Sequence, residues 1–289
     1  MKKILLATTM LVGTAGFAAA EVAMSGSASM GYKNAETALA NDQEGSINHS
    51  ITLSVSMSGE SDAGLSFGAS FDILANGSAD YDADPATPAT SGVLTNDGPG
   101  SVFISGAFGK LAMGDVGDAD AQGGISDVGY DGIGIDDLAE SLDGAGGSTV
   151  RYTYSAGALT VMASVAQTTA DNRSVAVAYA GEGFGVSFGV EDNGGADNHV
   201  VVGANASVSG IALKAVYGSL GNQSQYAISA TYSADALSAT VFTRSSFADV
   251  QASGVGIGYD LGGGASFAAG YSKAENANGR FDAGVNFSF

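Results

Sequence analysis

Cysteine is absent from this sequence, and basic residues are scarce. Ten Lys and Arg stand against thirty Asp and Glu in a chain of 289 residues. Without cysteine, no disulfide can hold the fold together. Nucleic acid requires a basic surface to neutralise its phosphates, and this charge balance does not supply one. The composition therefore excludes a disulfide-stapled domain and argues against a nucleic-acid partner.

Long hydrophobic runs are also missing after residue 20. A helix needs about 20 apolar residues to cross a bilayer, and no later stretch approaches eighteen, although 45% of the chain is hydrophobic. The apolar residues are spread through the chain among 44 glycines. A helical membrane protein is excluded.

The first twenty residues have the pattern of a secretory signal peptide. Met1-Lys2-Lys3 is followed by an apolar run from Ile4 to about Phe17 and then by Ala18-Ala19-Ala20. The small residues at Ala18 and Ala20 suit an A-x-A cleavage site. We predict that residues 1–20 are removed on export. The mature chain, 21–289, then keeps eight basic and thirty acidic residues, a formal net charge of −22.

Strict alternation of apolar and polar residues begins near Ile47. The apolar positions are Ile47, Ile51, Leu53, Val55 and Met57, and the polar positions between them are Asn48, Ser50, Thr52, Ser54 and Ser56. A period of two is the mark of a strand with one apolar and one polar face. After the short stretch from Gly59 to Asp62 the alternation resumes, which predicts two antiparallel strands joined by a tight turn.

The same pattern continues to the end of the chain and gives sixteen strands. Tight turns alternate with longer connections, notably Lys33 to Ser46, Leu74 to Pro99 and Gly117 to Gly147. An even strand number, with short turns at one end and longer loops at the other, is the layout of an outer-membrane barrel. We predict an all-β fold, a sixteen-stranded antiparallel transmembrane β-barrel.

A soluble β-sandwich is the structural alternative, because its strands alternate too. Nothing in a sandwich requires a signal peptide, sixteen strands and two alternating loop lengths to occur together. In a barrel the apolar face meets lipid, while Ser, Thr, Asn and Gly line a wet interior. The combination favours the barrel.

Several runs match a known family in the right order. They are Glu21-Val22 with Met24-Ser25-Gly26, Gly64 to Phe71, Val102 to Lys110, Tyr152 to Ala158 and Tyr259 to Ser266. In these runs the chain resembles the general diffusion porins of Rhodobacter-type α-proteobacteria. The resemblance implies a homotrimer of pores that pass small hydrophilic solutes and ions, in contact with the lipid bilayer and lipopolysaccharide, with no required cofactor. It also implies an inward-folded constriction loop, here residues 117–147.

The loop at 117–147 is acidic and contains no basic residue. Its carboxylates are Asp118, Asp120, Asp127, Asp131, Asp136, Asp137, Glu140 and Asp143. A long loop rich in Gly and Asp can also be a solvated surface loop. If it lies in the pore, its charge predicts a preference for cations over anions. Clustered carboxylates at Asp127, Asp131, Asp136 and Asp137 are a candidate Ca²⁺ site.

In the family, the acidic loop faces arginines on the opposite wall, many of them from the first strands. This chain departs from that pattern, since the corresponding positions read Ser29, Ser50 and Thr52. Other basic residues face the lumen by parity, and they are Arg151, Lys214, Arg244 and Arg280. The alternative for each is a rim or structural charge that contacts no solute.

An enzyme is not predicted. Asn48-His49-Ser50 suggests a hydrolase only as a string, because consecutive strand residues point to opposite faces and His49 cannot reach Ser50. The second histidine, His199, is expected at the rim. Two other functions remain open: a barrel that serves as an adhesin or receptor without a transport role, and a soluble secreted β-protein with a binding face.

Overall fold

The computed structural model describes residues 20–34, 45–80, 94–121, 124–132, 148–166, 172–192, 194–195 and 197–289, with 75–80 and 94–99 described in their backbone only. Within these ranges no helix is long and apolar enough to cross a membrane. The chain is built from strands.

Sixteen antiparallel strands form a closed barrel. Each strand hydrogen-bonds to its neighbours in chain order, and the first pairs with the last. This architecture confirms the predicted sixteen-stranded fold. The strands are β1 (Glu21–Asn34), β2 (Gly45–Glu60), β3 (Ser66–Asp80), β4 (Leu94–Gly106), β5 (Gly109–Gly114), β6 (Val150–Ala156), β7 (Leu159–Val165), β8 (Arg173–Gly181), β9 (Phe184–Asp192), β10 (His199–Val208), β11 (Ile211–Leu220), β12 (Gln223–Ala234), β13 (Leu237–Ser245), β14 (Gln251–Gly262), β15 (Ala265–Ala274) and β16 (Arg280–Ser288).

The closure between β1 and β16 extends to Phe289. The register runs from Ser27 opposite Ser288 to Lys33 opposite Asp282. The Phe289 amide donates to the Gly26 carbonyl at 2.8 Å, and the Gly26 amide donates to the Phe289 carbonyl at 3.2 Å. An unpaired sheet edge in hydrocarbon would cost several kcal/mol per backbone group. Closure removes that edge.

The first four strands are longer than the sequence predicted. β3 continues to Asp80 and β4 begins at Leu94, whereas we expected a loop from Leu74 to Pro99. The ladder between β2 and β3 persists to Ser46 opposite Asp80. Ala75–Asp80 contains no large apolar residue, so the periodicity ends before the hydrogen bonding does. A hairpin that projects beyond the lipid needs no apolar face.

The two faces of the wall differ as the alternation predicted. On β13 and β14 the exposed residues include Val241, Val255, Ile257 and Tyr259. The residues between them face the lumen, among them Thr240, whose hydroxyl lies 2.8 Å from that of Thr231 across the ladder. The apolar face is the one that contacts lipid.

His199 is the first residue of β10, at the long-loop end of the wall where it was expected, but its side chain is buried. Its side chain is 1% exposed, and its Nδ1 lies 3.2 Å from Glu191 Oε2. The two residues are direct cross-strand partners at the start of β10 and the end of β9. The His199 ring also lies 6.3 Å from the Phe247 ring. Neighbouring strands and the loop after β13 therefore cover this terminal position.

The lipid-facing side of β13 allows a paired test of this orientation. Val241→Arg, at the middle of the strand on the outer face, should destabilise the barrel by about 2 to 4 kcal/mol, because it places a charge in hydrocarbon. The neighbouring Thr240→Arg, on the lumen face, should cost much less. Denaturant unfolding in lipid vesicles measures both, and equal losses would contradict the assignment of faces.

Candidate functional site

The connection between β5 and β6 turns into the barrel. We use the name inner limb for its described part, residues 116–121 and 124–132. These residues contact the lumen side of the strands from β7 to β14, then of β16, β1 and β2. The inner limb therefore lies against the lumen face of the wall.

The root of the inner limb is held by two serines. The Ala119 amide donates to Ser164 Oγ on β7 and to Ser174 Oγ on β8, each at 2.9 Å. The two hydroxyls are 2.6 Å apart. Ala119 is completely buried and packs on Met162 and Ala176. A backbone donor that would otherwise lack a partner is thus satisfied by the wall.

The middle of the inner limb packs on an apolar patch inside the barrel. Ile125 and Val128 are 1% and 2% exposed. Their partners on the wall are Val201, Val216, Ala227 and Phe242, from β10, β11, β12 and β13. Burying one such side chain contributes about 1.5 to 3 kcal/mol. These four wall residues occupy lumen positions where the alternation predicts polar side chains, and the inner limb is what covers them.

Gly256 on β14 makes the close approach of Val128 possible. A Cβ at this position would lie 3.4 Å from Val128 Cβ and closer still to its Cγ1. While Val128 is present, any larger side chain at position 256 would displace the inner limb, because its Cβ would overlap the Val128 Cγ1.

A carboxylate on β16 clasps the far end of the inner limb. Asp282 is 1% exposed, and its two oxygens accept the amides of Tyr130 and Asp131, each at 3.0 Å. Hydrogen bonds to an ionised acceptor are about twice as strong as neutral ones. Lys33 Nζ, on β1, lies 2.8 Å from Asp131 Oδ2. We call Asp282, Lys33, Tyr130 and Asp131 the clasp.

Tyr130 adds contacts to three strands. Its hydroxyl donates to the Asn48 carbonyl of β2 at 3.1 Å. Its ring lies on Gly31 and Gly284, where a Cβ on Gly31 would come within 2.8 Å of Cε1. The Tyr130 phenol is a neutral donor at pH 7, and burial raises its pKa further above the ordinary value.

All four basic residues assigned by parity lie on the lumen face, and two of them touch the inner limb. Lys214 Nζ donates to the Gly124 carbonyl at 3.4 Å. Arg151 lies beside Gly117 at the root. Arg244 and Arg280 lie nearer the long-loop ends of β13 and β16. Lys214 and Arg151 therefore contact the loop itself, not a charge across the pore from it.

The acidic residues of the loop have different environments. Asp118 accepts a hydrogen bond from Ser148, and Asp120 is 4% exposed against β9 at Gly189. Asp127 accepts from the Val128 amide at 3.0 Å and remains exposed, as does Asp131. Asp136, Asp137, Glu140 and Asp143 lie outside the described residues. Among the described carboxylates of the loop, Asp127 and Asp131 are the two that are exposed.

Calcium coordination stays a prediction. The described residues hold no group of three or more His, Asp or Glu side chains arranged to bind a metal ion. Two of the four proposed ligands, Asp136 and Asp137, fall outside that part of the chain.

Of the four clasp residues, the sequence predicted a role only for Asp131. Asp282 was visible as an acidic residue at a lumen position of an alternating strand, between Phe281 and Ala283. Tyr130 was visible as the single aromatic residue in the loop. What the sequence lacked was the register that places Lys33 opposite Asp282.

Comparisons with known proteins agree on one family. The family model described as Gram-negative porin matches residues 7–287. A porin of Rhodobacter capsulatus is 29% identical, over 93% of this chain and all of that protein. A porin structure refined at 1.8 Å superposes with a TM-score of 0.70 at 26% identity, over 93% of this chain and all of the other. A mutant of Rhodopseudomonas blastica porin gives 0.73 at 15% identity with the same coverage, which shows a shared fold.

Removing the Asp282 carboxylate should release the end of the inner limb. In Asp282→Ala the amides of Tyr130 and Asp131 lose acceptors worth about 1.5 to 3 kcal/mol each. Their hydrogen exchange should accelerate at least about tenfold, while the barrel remains closed. Hydrogen exchange read by mass spectrometry on peptides covering 124–132 measures this.

Asp249→Asn is the control for that experiment. Asp249 is an exposed loop residue with φ of 59°, a conformation that Asn adopts readily. Unchanged exchange at Tyr130 and Asp131 in Asp282→Ala would show that Asp282 does not hold the inner limb.

Proposed function

Since the chain belongs to the Gram-negative porin family, we propose that its loop 117–147 narrows the lumen and makes the pore cation-preferring. The protein is a bacterial outer-membrane channel for passive diffusion of small hydrophilic solutes, and it is not an enzyme. The adhesin and soluble alternatives are set aside by that membership. The narrowing of the lumen by the loop and the preference for cations are proposals in addition to family membership.

The path of the inner limb along the lumen wall supports a constriction of the pore. Its contacts begin at Ser164 on β7, pass Val216 and Gly256, and end at Asp282 and Asn48. A backbone fixed at so many points occupies lumen space permanently. Solutes therefore pass beside a fixed obstacle and not beside a freely moving loop.

Cation preference follows from the charges that face water. Asp127 and Asp131 are exposed on the inner limb, and the whole loop contains eight acidic and no basic residues. Charges are screened over about 8 Å at physiological ionic strength, which is comparable with the radius of a narrow pore. The loop carboxylates would thus act on ions throughout the opening.

The reversal potential under a KCl gradient tests the preference directly. For purified protein in a planar bilayer we expect the sign that indicates potassium entering more readily than chloride. Asp127→Asn with Asp131→Asn should move the potential toward zero, because both exposed carboxylates on the inner limb are removed. Anion preference in the unmodified protein would overturn the proposal.

Glu182→Gln is the control for a carboxylate outside the inner limb. Glu182 is an exposed carboxylate in the tight turn between β8 and β9, away from the inner limb. Its removal should leave the reversal potential nearly unchanged. A shift as large as that of the double variant would assign the selectivity to overall charge.

We propose a homotrimer in contact with lipopolysaccharide as the assembled state. The support is family membership together with likeness to porins over the whole barrel. In the same bilayer recordings a trimer would give openings in groups of three. Pores that only ever open singly would count against it.

Calcium binding by Asp127, Asp131, Asp136 and Asp137 is a further part of the proposal. Ca²⁺ takes six to eight oxygen ligands and would offset repulsion among these carboxylates. Chelation should then lower the melting temperature of the unmodified protein. It should not lower that of Asp127→Asn with Asp131→Asn, and no effect on the unmodified protein would exclude the site.

A further inference from the structure

Three side chains with nitrogen donors lie on the lumen wall near the long-loop ends of β12, β13 and β16. Arg244 on β13 lies opposite Ala227 on β12, two positions from Gln225 on the same face of β12. Arg280 on β16 lies opposite Ser272 on β15. These three side chains, Arg244, Arg280 and Gln225, are the donor cluster.

The wall between the two arginines is built from small residues. Ala252 and Gly254 of β14 and Ser272 of β15 occupy the intervening lumen positions. Three inter-strand steps of about 4.8 Å separate the two backbones. Both long side chains can converge across this gap, and the charge of Arg280 is near enough to act on Arg244.

Buried donors in the cluster have no acceptor among the described residues. Arg244 Nε, Arg280 Nε and Gln225 Nε2 are buried and donate no hydrogen bond to the described part of the chain. Gln225 as a whole is 4% exposed. An unsatisfied buried donor costs about 1 to 3 kcal/mol, and more when it is charged. Three such donors on one region of the lumen wall can be satisfied by an acceptor-rich ligand.

The described carboxylates do not supply that acceptor. Asp282 lies two residues from Arg280 on the same face of β16, but its oxygens are engaged by the Tyr130 and Asp131 amides. Asp131 pairs with Lys33. Neither arginine forms an ion pair with any described residue, in contrast with Lys33.

We propose that the donor cluster is a binding site for small oxyanions that pass through the pore, such as inorganic phosphate. Guanidinium groups present paired N–H donors that match two oxygens of one anion, and an amide N–H adds a third direction. A halide offers no such oxygen pair. The proposal rests on the porin function and adds that small oxyanions are a class of solute that binds inside this pore.

The position of the cluster suits a site met early by an entering solute. Arg280 lies two residues, about 6.6 Å, nearer the long-loop end than Asp282. In outer-membrane barrels the longer loops face outward. An anion would therefore reach the cluster before the clasp. Because the cluster faces the lumen, phosphates of lipid headgroups do not reach it.

This local site is compatible with overall cation preference. The net charge of the mature chain and the exposed Asp127 and Asp131 govern which ions enter in bulk. The donor cluster concentrates oxyanions at one place on the wall, by hydrogen bonds that a field alone does not provide. The two properties are measured separately.

Phosphorus-31 NMR of inorganic phosphate tests the site. Mature protein in a non-ionic detergent, which carries no phosphate, should broaden the phosphate line at millimolar concentrations. Sulfate should reverse the broadening, and chloride at equal ionic strength should not. Arg244→Gln with Arg280→Gln should reduce the broadening at least fivefold.

Two further variants distinguish binding at the donor cluster from nonspecific electrostatic attraction of phosphate to positive charge. Lys273→Gln removes a positive charge from β15 on its exposed outer face and should keep the full broadening. Arg244→Lys with Arg280→Lys keeps both charges but removes the Nε donors, and it should lose most of the effect. Potassium chloride conductance of each variant checks that the pore is formed.

Broadening that survives in the double glutamine or double lysine variant would overturn the proposal, as would an unmodified protein that conducts but broadens nothing. An absence of conductance from folded protein would instead contradict the porin function on which the proposal rests.

Discussion

Backbone hydrogen bonding in lipid is the constraint on which this structure depends. Hydrocarbon offers no water to an unpaired amide or carbonyl, so every strand must be paired on both sides. Sixteen strands meet this demand only because β1 and β16 pair, a contact that extends to Phe289 and Gly26. Closure then fixes the two faces: alternate side chains point to lipid or to the lumen. The width and the charge of the pore therefore depend on which side chains and loop residues occupy the lumen face.

The lumen face is not uniformly polar, and its exceptions position the inner limb. Val201, Val216 and Phe242 would be misplaced in an open aqueous channel, but Ile125 and Val128 cover them. Beyond this apolar contact the wall supplies a buried carboxylate, Asp282, for two limb amides. Apolar packing holds the inner limb against the wall, while the hydrogen bonds of the clasp fix the position of its end. Together they hold a polar, acidic segment inside a barrel where it would otherwise be solvated.

Sequence periodicity was sufficient for the fold but not for the site. Alternation at residues such as Ile47 to Met57 predicts strands because lipid and water impose a period of two. Strand ends such as Ala75–Asp80 escaped prediction because they lie where no apolar face is required. The clasp escaped because Lys33 and Asp282 are far apart in the chain and become neighbours only through barrel closure. Parity placed Lys214 and Arg151 in the lumen, yet only the structure shows that they contact the loop.

A single engineered disulfide tests whether the inner limb is fixed on the lumen wall. The natural chain has no cysteine, so Val128→Cys with Gly256→Cys gives one unambiguous pair, whose Cβ separation of 3.4 Å is close to that of natural disulfides. The bond should form readily under mild oxidation, whereas Val128→Cys with Ile257→Cys, which points outward, should not crosslink. Oxidation should also leave the KCl conductance of the first pair unchanged, because the inner limb already lies there. A pair that fails to crosslink, or a conductance that changes when it does, would contradict a limb fixed on the lumen wall.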